Sequence, residues 1–301
     1  MPNAQSNAQN EQIANETHRA ACASEAMRSS GRILGDARSR IDTVTNERDS
    51  DTYVQSLARG LSVIRAFGPG HTTMTLSEVA DEAGITRAGA RRILLTLQTL
   101  GYVALDGRRF SLTPKILSLG YSYLSSLDFW SFAEPIMEAL VDRVHESCSA
   151  SVLDGDDIVY VLRVPTRRIM SINLGIGTRL PAYAASMGRV LLASLSPAEL
   201  DAYLASTSRK AYTGTTQVDA DSLRRIVASV REAGWCLVDQ ELEEGLRSIA
   251  VPLSSRSGRV VAALNISAHA SRVSLERMVS ELLPELTRAQ REIDLALRLQ
   301  T

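Results

Sequence analysis

Five arginines, Arg87, Arg91, Arg92, Arg108 and Arg109, stand between positions 87 and 109 against a single acid, Asp106. A guanidinium presents its donors as a planar fork that matches two phosphate oxygens or the O6/N7 edge of guanine. Arg87 and Arg91 are four residues apart and share one face of any helix that carries them, so they are the candidates for base edges. Arg92, Arg108 and Arg109, with Arg59 upstream, are the candidates for phosphates. The whole chain has a formal net charge of −1. Its basicity is therefore local, which fits a groove-binding surface and argues against a protein that coats nucleic acid.

The surrounding pattern supplies elements that would hold these arginines. Leu57, Leu61, Ile64 and Phe67 recur at helical spacing, and Gly68-Pro69 marks a stop. A second helix is expected from Thr75, with Glu78 placed as capping-box partner and Val79, Ala80 and Ala83 facing inward. Gly84 suits the tight turn that follows. Thr86 is the expected N-cap of a third helix with a buried stripe of Ala90, Ile93, Leu94, Leu97 and Leu100. Thr86, Arg87, Gly89, Arg91 and Arg92 remain on its outer, N-terminal side. Tyr102–Leu105 and Arg109–Leu112 alternate like strands around the hairpin signal Asp106-Gly107. Any small three-helix core shows part of this pattern. The charge and the hairpin together point to a winged helix-turn-helix over residues 53–113, with promoter DNA as partner.

Thr113-Pro114 opens a further helix, expected over 114–127 as a linker. From 128 to 301 the pattern is mixed α/β. A helix is expected over Phe132–Glu146, and strands over Ala150–Leu153, Ile158–Val164 and Met170–Leu174. Helices follow in SMGRVLLASL, PAELDAYLAS and SLRRIVASVREAG. Strands are expected at Trp235–Val238, Ser248–Leu253 and Val260–Ser267, before a long helix from Ser274. Antiparallel strands with helices outside describe a sensor-like domain. The turn before GRVLLASL would offer backbone N–H groups to a carboxylate. Ser186, Ser248 and Ser267 could add hydrogen bonds and Arg179 or Arg189 charge, unless the turn is purely structural.

Other classes fit poorly. A chain of 301 residues with 45% hydrophobic content supports two cores. No apolar run approaches the roughly 20 residues of a membrane span, and no secretory signal is visible. Cys22, Cys148 and Cys236 suit a reducing cytoplasm and neither a disulfide framework nor a zinc site. Only four histidines exist, His18, His71, His145 and His269, and no nucleophile elbow precedes the last, so an enzyme is not expected. Asp154, Asp156 and Asp157 read as a hairpin turn, and Glu241, Glu243 and Glu244 as a solvated loop. No metal or cofactor is expected. Residues 1–50 are poor in large apolar side chains and are expected to be disordered, as an interaction tail or an extension from a start placed too early.

With these segments in place, the chain resembles the IclR-type transcriptional regulators from about Tyr53 onward. The resemblance rests on YVQSLARGLSVIRAFG, RRILLTLQTLGYV, IGTRLPAYAASMGRVLLA, DQELEEGLRSIAVPL and ALNIS. With LTPKILSLGYSYLSSL, the first segment is most similar to the subgroup that controls β-ketoadipate pathway genes in response to acids such as protocatechuate, 4-hydroxybenzoate or β-ketoadipate. The resemblance implies a profilin- or GAF-like α+β effector domain, a homodimer or tetramer, and a small-organic-acid effector. RNA polymerase is a further implied partner. By motif match the pocket would use Ser186 and Met187, Asp239 and Leu246, Ser248, Asn265 and Ser267, with Ile172 and Leu180 as apolar walls. Relatives that take very small keto acids have Gly-Ala where this chain has Ser186-Met187, so Met187 reshapes the pocket. An IclR-type repressor of another carbon-catabolism pathway is the alternative the resemblance leaves open.

Overall fold

A computed structural model describes residues 53–68, 70–124, 130–166 and 174–299. The chain divides between residues 128 and 129 into two compact units.

The first unit contains α1 (Gln55–Ala66), β1 (Met74–Thr75), α2 (Leu76–Glu82) and α3 (Arg87–Thr99). Then come β2 (Val103–Asp106), β3 (Arg109–Leu112), a 3-10 turn at Pro114–Ile116 and α4 (Leu117–Leu124). Its core is Val63, Ala66, Phe67, Met74, Val79, Leu94, Leu97, Val103 and Phe110. The capping box forms as expected. The Thr75 side chain accepts from the Glu78 N–H, and the Glu78 carboxylate accepts from the Thr75 N–H at 2.6 Å. Ala80 is buried where α2 meets α3, and Gly84 takes φ +63° in the turn between them. Gly107 turns the hairpin with φ +57°.

Three details depart from the sequence pattern. Leu57 and Leu61 are exposed, and the buried side of α1 is Val63, Ala66 and Phe67. A unit this small cannot cover the first turns of the helix that enters it. Leu100, at the C-terminal cap of α3, is also exposed. The two-residue β1 adds a third strand to the wing, in the order β1-β3-β2. Its length gave no periodicity to detect. The 3-10 turn and α4 fall where the linker helix was expected, and residues 125–129 lie outside the described part, as do residues 1–52.

The second unit is built on α5 (Trp130–Val144), β4 (Ser147–Asp154), β5 (Asp157–Val164) and β6 (Arg179–Pro181). α6 (Ser186–Leu192), α7 (Pro197–Ser206) and α8 (Ala220–Ala233) follow. β7 (Cys236–Asp239), β8 (Leu246–Ser254) and β9 (Val260–His269) complete one antiparallel sheet in the order β6-β5-β4-β9-β8-β7. The chain closes with a single helical turn at Leu275–Arg277, a π-type segment at Met278–Leu282 and α9 (Leu283–Leu299). α5 and α9 cover one face of the sheet, and α6 lies against the other with α8 outside it. A helix-flanked antiparallel sheet is an α+β arrangement. The expected strand at Met170–Leu174 falls almost wholly outside the described residues, and Leu174 is not in a strand. β6 was not anticipated, because three residues carry no period.

Candidate functional sites

The arginine face is built by α3. Thr86 caps the helix by accepting from the Gly89 N–H at 3.2 Å. A Cβ on residue 89 would stand 3.1 Å from the Thr86 hydroxyl. Glycine there keeps the cap undisturbed, a structural role that accounts for Gly89 without any ligand. Arg87, Arg91 and Arg92 are exposed on the first two turns, Arg108 on the hairpin turn and Arg59 on α1. Arg109 behaves differently. Its Nε donates to the Thr73 hydroxyl at 3.1 Å and its Nη2 to the Thr73 carbonyl at 2.8 Å, with Glu78 at 3.7 Å. These bonds fasten the wing to the segment before α2.

The second site lies between α6 and the sheet. Side chains alternate across a strand, so register decides which residues meet. Ser147, Ser149 and Ser151 of β4 pair with Ser267, Asn265 and Ala263 of β9, and Ser267 pairs with Ser248 of β8. One face of three adjacent strands therefore carries a patch of small polar groups, all buried. Above it a narrow cavity of about 20 Å³ is lined by Tyr160, Leu174, Leu180, Ala184, Ala185, Ser186, Met187, Val238, Leu242, Leu246, Ser248, Asn265 and Ser267. Ser248 donates to the Ser186 hydroxyl at 2.9 Å, Ser151 donates to the Met187 sulfur at 3.3 Å, and the Asn265 amide donates to Ser267 at 3.0 Å. Among the described residues the Asn265 Oδ1 has no hydrogen-bond partner. Burial pushes the Tyr160 phenol up to about 12, so it presents a neutral hydroxyl.

α6 reaches this position through close packing. A Cβ at Gly188 would run into the Ala182 carbonyl, so no larger residue lets the helix approach. Ala185 at its N-cap offers no side-chain acceptor.

The structure brings together Leu180, Ser186, Met187, Leu246, Ser248, Asn265 and Ser267. It does not bring Asp239. Val238 points at the cavity, so its neighbour on β7 points to the other face, where Asp239 accepts from Arg247 at 2.7 Å. Ile172 lies outside the described residues. Neither expected cation is available. Arg189 is buried, donates to the Tyr183 carbonyl and forms a two-pronged bond to Glu241 at 2.7 and 2.6 Å. Arg179 is paired with Asp154 and Asp157. Glu241 is thus no solvated loop residue but the buried counter-ion of Arg189, and it also accepts from the Gln217 N–H. Asp154 to Asp157 form the β4–β5 hairpin turn with Gly155 at φ +61°. Tyr160 and the serines at 147, 149 and 151 were missed. The alternation S-C-S-A-S was legible, but alternation alone assigns the polar side to solvent.

A winged helix-turn-helix with free arginines, joined in one chain to a domain enclosing a polar cavity, is the layout of an effector-responsive transcriptional regulator. The IclR helix-turn-helix domain profile matches residues 56–107, and that of the bacterial transcriptional regulator IclR C-terminal domain matches 121–295. The chain belongs to the IclR family. It is 44% identical over 262 residues to the Pca regulon regulatory protein of Pseudomonas putida, covering 87% of this chain and 89% of that protein. A solved transcriptional regulator from Rhodococcus sp. RHA1 shares 54% identity with a TM-score of 0.74, over 81% of this chain and 98% of that one. An IclR homolog from Microbacterium hydrocarbonoxydans, solved with 4-hydroxybenzoate, shares 26% identity with a TM-score of 0.73, over 81% and 100% of the two chains. Among the described residues no helix is long and apolar enough to cross a membrane, and no group of three or more metal-ligating side chains is close enough to hold an ion.

Proposed function

We propose that the protein regulates aromatic-acid catabolism genes of the β-ketoadipate type, with a small aromatic acid bound between α6 and the sheet as effector. The observation that carries this reading is the cavity itself. Seven residues expected from the family motifs converge on one buried space whose floor is polar. The Microbacterium relative, solved with 4-hydroxybenzoate, supplies the chemical class.

An apolar cavity of about 150 Å³ takes up benzene, whereas this one is about 20 Å³. An effector must therefore select a more open arrangement, and that difference is what allows a ligand to shift an equilibrium. The regulator acts in the cytoplasm as a dimer or tetramer without catalysing a reaction. Its two recognition helices occupy successive major grooves of a near-palindromic promoter site. The exposed Leu57, Leu61, Leu117 and Tyr121 of the first unit support pairing of this kind. Arg87 and Arg91 read bases, and Arg59, Arg92 and Arg108 hold phosphates. Contact with RNA polymerase decides the sign of the response.

A thermal-shift and calorimetric panel of aromatic and dicarboxylic acids against the full-length protein tests the effector class. One hydroxybenzoate is expected to raise Tm well above the others. Stabilisation by a short keto acid alone would replace the aromatic reading with regulation of another carbon pathway. Met187→Glu is expected to abolish the ligand response and leave promoter affinity intact. Unchanged ligand affinity in that variant would remove Met187 from the site.

A further inference from the structure

Two groups on the cavity face of the sheet are incompletely satisfied. The first is the buried Asn265 Oδ1, an acceptor with no donor among the described residues. A buried acceptor left open is costly, and it asks for a hydroxyl or N–H from whatever fills the space. The second is Arg163. It pairs in register with Ser149 of β4, which pairs in turn with Asn265 of β9. Arg163, Ser149 and Asn265 therefore form one row across three strands on the same face. Between Arg163 and the cavity-lining Tyr160, a bulge opposite Ala150 and Ser151 takes up one residue, which returns both side chains to that face.

The Arg163 guanidinium is half-buried, and its one described bond is a long donation to the Ser149 hydroxyl at 3.4 Å. Among the described residues it has no carboxylate partner. Burial lowers its pKa, with only the nearby Tyr160 acting in the opposite direction. The other two arginines considered for this site are already neutralised by acids. Arg163 does not line the cavity itself, but a partly desolvated cation on the same strand face, in one row with the cavity-lining Asn265, is a place for an anion.

We propose that Arg163 anchors the carboxylate of the effector and that Asn265 Oδ1 accepts its hydroxyl, so that the ligand lies across β4 from β5 to β9. Neighbouring strands are about 4.8 Å apart, so the two backbones are separated by roughly 10 Å. A rigid acid with its hydroxyl at the far end of the ring suits that span. A dicarboxylate brings no hydroxyl donor for Asn265. This assignment deepens the aromatic-acid reading and rests on it.

Calorimetry on the full-length protein with 4-hydroxybenzoate, benzoate and 4-hydroxybenzamide tests both ends separately. In the parent protein, loss of the ring hydroxyl or of the carboxylate charge is each expected to weaken binding roughly 10- to 100-fold. Arg163→Gln should weaken 4-hydroxybenzoate by a similar factor and leave 4-hydroxybenzamide unchanged. Asn265→Ala should erase the preference for 4-hydroxybenzoate over benzoate. Arg163→Lys, expected to fall between parent and Arg163→Gln, replaces the latter if it does not fold, and the parent's own ligand series tests the proposal without any variant. Equal affinity of the parent for acid and amide, or an Arg163→Gln protein that binds the acid as tightly as the parent, overturns the anchor while the aromatic reading stands. Equal affinity for benzoate overturns the hydroxyl assignment and turns the Asn265 amide nitrogen toward the cavity. Failure of the parent to bind any of the three overturns this proposal, and failure to bind protocatechuate as well overturns the aromatic reading.

Discussion

The recognition face of the first unit and the surroundings of the cavity in the second place their arginines in opposite ways. On α3 and the wing, Arg87, Arg91, Arg92 and Arg108 stand in solvent without an ion-pair partner among the described residues. In the second unit Arg189 and Arg247 are buried on Glu241 and Asp239. A solvated guanidinium keeps its hydration until a phosphate or base replaces it, and it contributes little to folding. A buried one has lost its hydration and depends on its counter-ion. The first set should therefore govern binding and barely affect stability. The second should govern stability, and through α6 the shape of the cavity.

The largest effect expected from this contrast is at Glu241. Glu241→Ala leaves Arg189 charged and enclosed, and should cost about 3–5 kcal/mol of folding free energy in chemical denaturation. Arg87→Ala should change stability by no more than about 0.5 kcal/mol. Comparable stabilities for the two variants would abolish the distinction.

On DNA the order should reverse. Arg87→Ala is expected to remove about 1–3 kcal/mol of discrimination between the preferred site and a site altered at one base pair. Arg108→Ala should weaken all sites alike and reduce the slope of log affinity against log salt by about 1. Identical behaviour of both variants on specific and random DNA would collapse the division between base and phosphate contacts. Arg109 sharpens the comparison from inside the first unit. It is held by Thr73, so Arg109→Ala should lower stability as well as affinity, unlike its neighbour Arg108.

Local chemistry made much of this legible in the sequence. The capping box at Thr75 and Glu78, the Thr86 cap and the Asp106-Gly107 turn depend on residues within four positions of one another, and all formed as read. Partnerships across the sheet were not legible. Asp239 was assigned to the cavity because it shares a motif with Leu246, yet a period of two turns it to the other face. Glu241 passed for a surface acid because its partner, Arg189, lies 52 residues earlier. The polar face of β4 was overlooked because alternation reveals two faces without revealing that both are covered. Seven of the nine residues that the family pattern placed at the cavity line it, because the pattern carries tertiary information that single-chain periodicity lacks.

The smallest expected effect concerns a charge on the outside that does contribute to folding. The Glu78 carboxyl is held below its ordinary value of 4.5, first by the Thr75 backbone N–H and then by the Thr75 side chain. A carboxyl whose folded pKa is depressed adds stability that is fully present above the unfolded value and is lost as pH falls through the folded one. Thr75→Ala removes the hydroxyl half of the box and should cost about 1 kcal/mol at neutral pH. It leaves the residue-75 N–H in place, so most of the acid-dependent increment should survive. Glu78→Gln keeps an acceptor but has no charge to lose, and its stability should not show that increment below pH 4.5. Melting curves of the three proteins at pH 7 and through the acid range separate the cases. A Glu78→Gln protein with the parent's full acid dependence would assign the titration to another carboxyl and leave Arg109 as the charged side chain of the first unit with a part in its folding.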